Sequence, residues 1–260
     1  MLKIIAFALS ICANSLTLGG ERLIEIDVPT PTAAPGDYVL CPSRQFYDSA
    51  VEKGVDKTTF IYYTARMVEV GDSESKVKSL AGTEYSLPNV LIIPIPKGQT
   101  AEVGDILLTW WQSGSGMQRA IVVGGSETEP VVRYLDIAYD NPSGAGKRED
   151  TLKPDSFVVL RKPFQIGSSV AVSVGRQKRV GQLLAADQER ILVKEFAGRL
   201  KIYDRNAAQP LPIRPKLAKD SAANAAMFGS LKPITIKKVD ERIGRVFVRT
   251  GDIGNSRSDT

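Results

Sequence analysis

The stretch from Val103 to Asn141, VGDILLTWWQSGSGMQRAIVVGGSETEPVVRYLDIAYDN, decides the fold. It opens on Gly104-Asp105, runs through Ile106 to Thr109 into Trp110-Trp111, breaks at the Gly/Ser run Ser113 to Gly116, and resumes at Arg119-Ala120. Short apolar runs rich in β-branched and aromatic residues, bounded by Gly, Ser, Asn and Pro, favour strands over helices. Turn signals follow at Gly124-Gly125, Asn141-Pro142 and Gly144 to Gly146. Neighbouring strand residues point to opposite faces, so one of Trp110 and Trp111 is expected inside and the other outside.

Working outward, the same order of markers occurs three times. An entry glycine stands at Gly36, Gly104 and Gly167, spaced by 68 and 63 residues. A short strand follows each, and a second strand then opens on a small residue: Ala65, Ala120 and Gly181. A leucine-proline signal closes each copy, at Leu87-Pro88, Leu152 with Pro154, and Leu211-Pro212. The copies divide the chain into units at 36–95, 101–162 and 165–215. A sheet of 50 to 60 residues is only marginally stable by itself, so the three are expected to pack on one another.

The flanks read differently. Residues 16–35 form a Pro-rich lead, stiff and extended around Pro29, Pro31 and Pro35, where protease cutting is expected. Within the basic tail 216–260, Lys216 to Phe228 is Ala-rich and suggests a helix, Pro233 to Arg249 a hairpin, and Gly251 to Thr260 disorder. That tail holds nine Lys/Arg against five Asp/Glu, which supplies most of the formal net charge of +5.

At the N-terminus Lys3 precedes an apolar run from Ile4 to Ala13, and Ala13-Asn14-Ser15 offers small residues for cleavage. Residues 1–15 are therefore expected to be a secretory signal peptide, with the mature protein periplasmic or extracellular. The apolar run is about half of what crosses a bilayer. Cleavage would remove Cys12 and leave Cys41 as a single thiol, read as a small buried hydrophobe. The chain has no histidine, which excludes Ser-His-Asp and Cys-His catalysis and His-ligated zinc. No carboxylate pair stands out for acid-base work, so a non-catalytic protein without cofactor or metal is expected.

The middle copy resembles the Tudor family, a small five-stranded SH3-like barrel that binds ligands. The resemblance implies an all-β chain of three tandem small SH3-like (Tudor-like) barrels with a partly disordered C-terminal tail. It also implies an aromatic cage, whose positions fall on Trp111, Tyr134 and Tyr139, with Asn141 just after and Asp136 beside the rings. The chain departs from the family at Gln118, where an aromatic is usual, and lengthens the turn within Leu135 to Ala138. The function expected is binding or scaffolding of a protein or peptide partner. Two other partners stay open: cell-wall peptidoglycan, on which exposed tryptophans could stack, and nucleic acid, contacted through the basic tail.

Overall fold

The computed structural model describes residues 23–114, 116–135, 149–214, 222–227, 229–240 and 245–249. Their regular structure is almost entirely β. The first unit contains β1 (Tyr38–Pro42), β2 (Tyr62–Glu69), β3 (Glu74–Ser79), β4 (Glu84–Pro88) and β5 (Ile93–Pro94). The second contains β6 (Ile106–Trp110), β7 (Met117–Gly125), β8 (Pro130–Tyr134), β9 (Glu149–Thr151) and β10 (Val158–Leu160). The third contains β11 (Ser169–Val174), β12 (Gln177–Ala186), β13 (Arg190–Glu195), β14 (Leu200–Asp204) and β15 (Ala208–Pro210). Each unit is an antiparallel meander of four strands whose fifth strand returns beside the first, so the spatial order is the same three times.

The entry glycines explain why the order repeats. Gly36, Gly104 and Gly167 sit at φ of 90°, 87° and 93°, a left-handed conformation that only glycine adopts without strain. Their N–H groups donate to the carbonyls of Met67, Val122 and Leu183 at 2.8, 2.8 and 2.7 Å. The same three residues donate back to the carbonyls of Asp37, Asp105 and Ser168, each at 2.9 Å. Immediately beyond that clasp the second strand slips register, between Met67 and Glu69, Val122 and Gly124, and Leu183 and Ala185. A bulge at that place bends the second strand sharply, which lets one sheet curl over its own core. The small marker residues lie two positions earlier, opposite Val39, Leu107 and Val170.

Strict alternation then sorts the apolar side chains into private and shared cores. In β1, Val39 and Cys41 face the first unit's own core while Leu40 faces a core common to all three units. In β6, Leu107 turns inward and Leu108 and Trp110 turn to the common core. In β13, Ile191 and Val193 are private and Leu192 is common. Burial on both faces is the reason these strands read as unbroken apolar runs in the sequence. Each large aliphatic side chain so buried stabilises the fold by roughly 1.5–3 kcal/mol.

Four features differ from the sequence expectations. The helix α1 (Arg44–Lys53) is inserted between β1 and β2, and ends where Gly54, at φ 96°, donates its N–H to Ala50. The lead is not a free spacer: Ile24 and Ile26 are buried in the common core and Ala33 in the first unit's core. Ala222–Met227 is the strand β16 rather than part of a helix, because its backbone pairs along β17 (Ser230–Asp240). β17 also pairs with β18 (Arg245–Arg249), which is the hairpin expected there, and joins the third unit where Val180 N–H donates to Gly229. Finally, Leu87 and Leu152 close their fourth strands, but Leu211 follows β15 and donates to Ser169 of β11. The third leucine-proline pair is therefore not equivalent to the other two; Tyr203, opposite Ile191, occupies the place that Leu87 holds opposite Ser75.

Candidate binding surface

The two tryptophans part as neighbouring strand residues must. Trp110 is 4% exposed and enters the common core, where its ring lies 4.8 Å from that of Tyr38. Trp111 is half-buried against the second unit's core. The turn at Gly114 passes so close under its indole that a Cβ there would fall 2.3 Å from Cε3.

Tyr134 corrects the cage expectation. In β8 the residues Pro130, Val132 and Tyr134 alternate inward, and the Tyr134 ring is fully buried. Its hydroxyl accepts from the Gln112 N–H at 3.0 Å and donates to Asp150 Oδ2 at 2.9 Å. Burial pushes the phenol well above its ordinary range, so it remains a donor. Asp150 Oδ2 also accepts from the N–H and the Oγ of Ser113, at 3.1 and 2.6 Å. Tyr134 thus anchors the 112–114 turn beneath Trp111 and offers no ring face to a ligand. Asp136, Tyr139 and Asn141 lie outside the described residues.

The surface that the fold assembles lies elsewhere, at the seam between the first two units. Arg66 stands opposite Tyr38 in the β1–β2 register, and its guanidinium carbon lies 3.4 Å from the Tyr38 ring centre. Arg66 Nη1 also donates to the Gly36 carbonyl at 2.6 Å. Asp37 receives the Ala34 N–H at 2.8 Å and pairs with Lys97 at 2.5 Å. The Lys97 ammonium, helped by that backbone bond, holds the Asp37 carboxyl below the usual carboxylate range despite its burial.

Across the seam Asp155 receives the Gly98 N–H at 2.7 Å. It does so from φ 55°, a left-handed conformation that Asp tolerates better than most residues. Between these turns lies a cavity of about 380 Å³, lined by Gly36, Asp37, Tyr38, Arg66, Ile95, Lys97, Lys153, Pro154 and Asp155. That volume is in the range of sites that hold a small ligand or part of a peptide.

Sequence reasoning missed this place because its parts come from two copies of the repeat. One signal was present. The Gly-Asp pair recurs at Gly104-Asp105, and there too the aspartate meets cations that follow a fifth strand: Arg214 at 2.8 Å and Arg161 at 3.9 Å. In the third copy Ser168 replaces the aspartate.

The site therefore combines fixed carboxylates, exposed cations and a partly apolar floor, an arrangement suited to binding. The sequence matches no family model, and no curated protein matches it.

Proposed function

We propose that the chain is an exported, non-catalytic binding or scaffold protein whose units are Tudor-like, SH3-like barrels, and that it docks a protein partner through an extended peptide segment. The observation that carries this reading is the common core. Three similarly ordered sheets share it, and Phe60 N–H to Gly198 at 2.8 Å and Arg119 to Ser169 at 2.5 Å join the units at their edges. Units held in this way present a rigid, continuous surface along the seams, which lowers the entropy lost when an extended segment is bound. The methyl-ammonium chemistry of nuclear Tudor domains is not part of the proposal, because fold does not carry function.

The test is capture from the native cell by the tagged mature chain, with photocrosslinking and identification of the crosslinked peptide. The expected result is one recurrent partner, crosslinked through an extended segment, and a mature N-terminus near Leu16. Retention on purified peptidoglycan, or binding to nucleic acid that falls steeply with salt, would replace this reading with one of those partners. An intact Met1 on cytosolic protein would remove the export claim.

A further inference from the structure

The seam cavity has a charge preference opposite to that of an aromatic cage. A cage holds a cation against open ring faces. Here the one ring in the lining, Tyr38, is covered on one side by Arg66 at 3.4 Å and packed against Trp110 at 4.8 Å. A cation of the chain itself therefore already occupies a face of that ring.

What the cavity offers instead is donors. Arg66, Lys97 and Lys153 line it against two carboxylates, leaving one net positive charge. Both carboxylates are already engaged, Asp37 by Lys97 and the Ala34 N–H, and Asp155 by the Gly98 N–H. The cations are not withdrawn to the same degree. The Lys97 side chain is 60% exposed despite its ion pair, Arg66 is exposed beyond its bond to Gly36, and Lys153 is exposed at the opposite rim.

We propose that this cavity binds a carboxylate side chain of an extended acidic peptide, held between Arg66, Lys97 and Lys153. The proposal deepens the peptide-binding reading and rests on it. The size and the wall chemistry select a peptide over a small inorganic anion. A cavity of about 380 Å³ exceeds what a phosphate fills, and Ile95, Pro154 and the Tyr38 ring give it apolar walls for a neighbouring side chain. The Lys97–Asp37 pair fixes one of the donors, and the Asp155–Gly98 bond fixes the 153–155 turn on the opposite rim. Donors already held, as Lys97 and Arg66 are, lose less side-chain freedom on binding a carboxylate.

The experiment uses the full chain and two fluorescein-labelled hexapeptides, one alternating Glu and Leu, the other alternating Lys and Leu, read by fluorescence anisotropy at low and physiological salt. Saturable binding of the Glu-Leu probe is expected, with none of the Lys-Leu probe. Amide shifts on binding should centre on Gly36, Gly98 and Lys153.

Lys153→Glu should weaken the probe about tenfold or more, the effect of losing one charge-assisted hydrogen bond. Lys178→Glu, on the third unit with its ammonium donating to Gln209, should leave it unchanged. Equal melting temperatures will separate binding from folding, and Lys153→Met replaces Lys153→Glu should the latter unfold.

Absence of saturable binding, equal binding of the Lys-Leu probe, or equal weakening by Lys178→Glu would overturn the proposal. Displacement of the probe by millimolar inorganic phosphate would overturn the peptide assignment in favour of a small anion. If the wild-type chain captures its native partner but does not bind the Glu-Leu probe, this site falls and the binding-module reading stands.

Discussion

Gly181 shows how little a residue's type says without its surroundings. The equivalent positions in the other two units are Ala65 and Ala120, both buried, so alanine looks like the natural choice in the third as well. Yet a Cβ on Gly181 would lie 2.3 Å from Val193 Cγ1 and 2.7 Å from the Lys194 carbonyl oxygen. Gly181→Ala is expected to destabilise the protein by about 1–3 kcal/mol through overpacking, read from the urea midpoint. An unchanged midpoint would mean that β12 and β13 separate more easily than their register implies. Cys41 makes a second case at this scale. It is fully buried, and burial pushes its thiol from an ordinary value of 9.0 up to about 12. The unfolded chain therefore releases this proton at a lower pH than the folded one, so stability is intact below about pH 9 and falls as pH rises toward 12. Between pH 9 and 10 the unfolding free energy of the wild type, read from urea titrations, should fall more steeply than that of Cys41→Ala, by up to about 1.4 kcal/mol per pH unit.

Among the elements, the lead has the most unexpected role. Its prolines suit an extended strap, and the strap lies over the common core with Ile24 and Ile26 beneath it. Its polar side is tied to the third unit, where Asp27 N–H donates to Asp187 at 3.2 Å and Glu25 pairs with Arg190 at 3.3 Å. Ile26→Ala should cost about 2–5 kcal/mol, as for other large-to-small changes in a core. Native protein should also resist proteolysis between Ile24 and Ala33, and the substitution should open that stretch to cutting. Rapid cutting there in the wild type would show the strap to be detached in solution. The strand β16 teaches a related lesson. Alanine favours helices intrinsically, but the propensity is worth under 1 kcal/mol per residue, less than the pairing that β17 offers.

Cooperativity is the property of the whole molecule that follows from the core. Separate units joined by flexible linkers would melt one by one, whereas Leu40, Leu108, Leu184 and Leu192 share one cluster. One unit cannot unfold without exposing the apolar faces of the others. A single calorimetric transition is expected for the three units, with calorimetric and van't Hoff enthalpies equal. Leu108→Ala should lower that transition as a whole, by about 2–5 kcal/mol, even though it lies in the second unit. Two resolved transitions, only one of them sensitive to Leu108→Ala, would argue against a common core.

By itself the sequence determined the β class, the threefold recurrence of the entry glycine and small residue, the parting of Trp110 from Trp111, and the hairpin near the C-terminus. These are local matters: period-two alternation, turn chemistry and a left-handed glycine act over a few residues and leave a readable pattern. Tertiary structure alone decided which face of each strand meets its own core and which meets the neighbours. The two faces are equally apolar, so no pattern along the chain distinguishes them. Packing also placed Tyr134 inside, and it brought Asp37 and Tyr38 beside Lys153 and Asp155 from a different unit to form the seam cavity. Residues more than a hundred positions apart met there because the units share a core, and sharing is a property of surfaces fitted together rather than of any one segment.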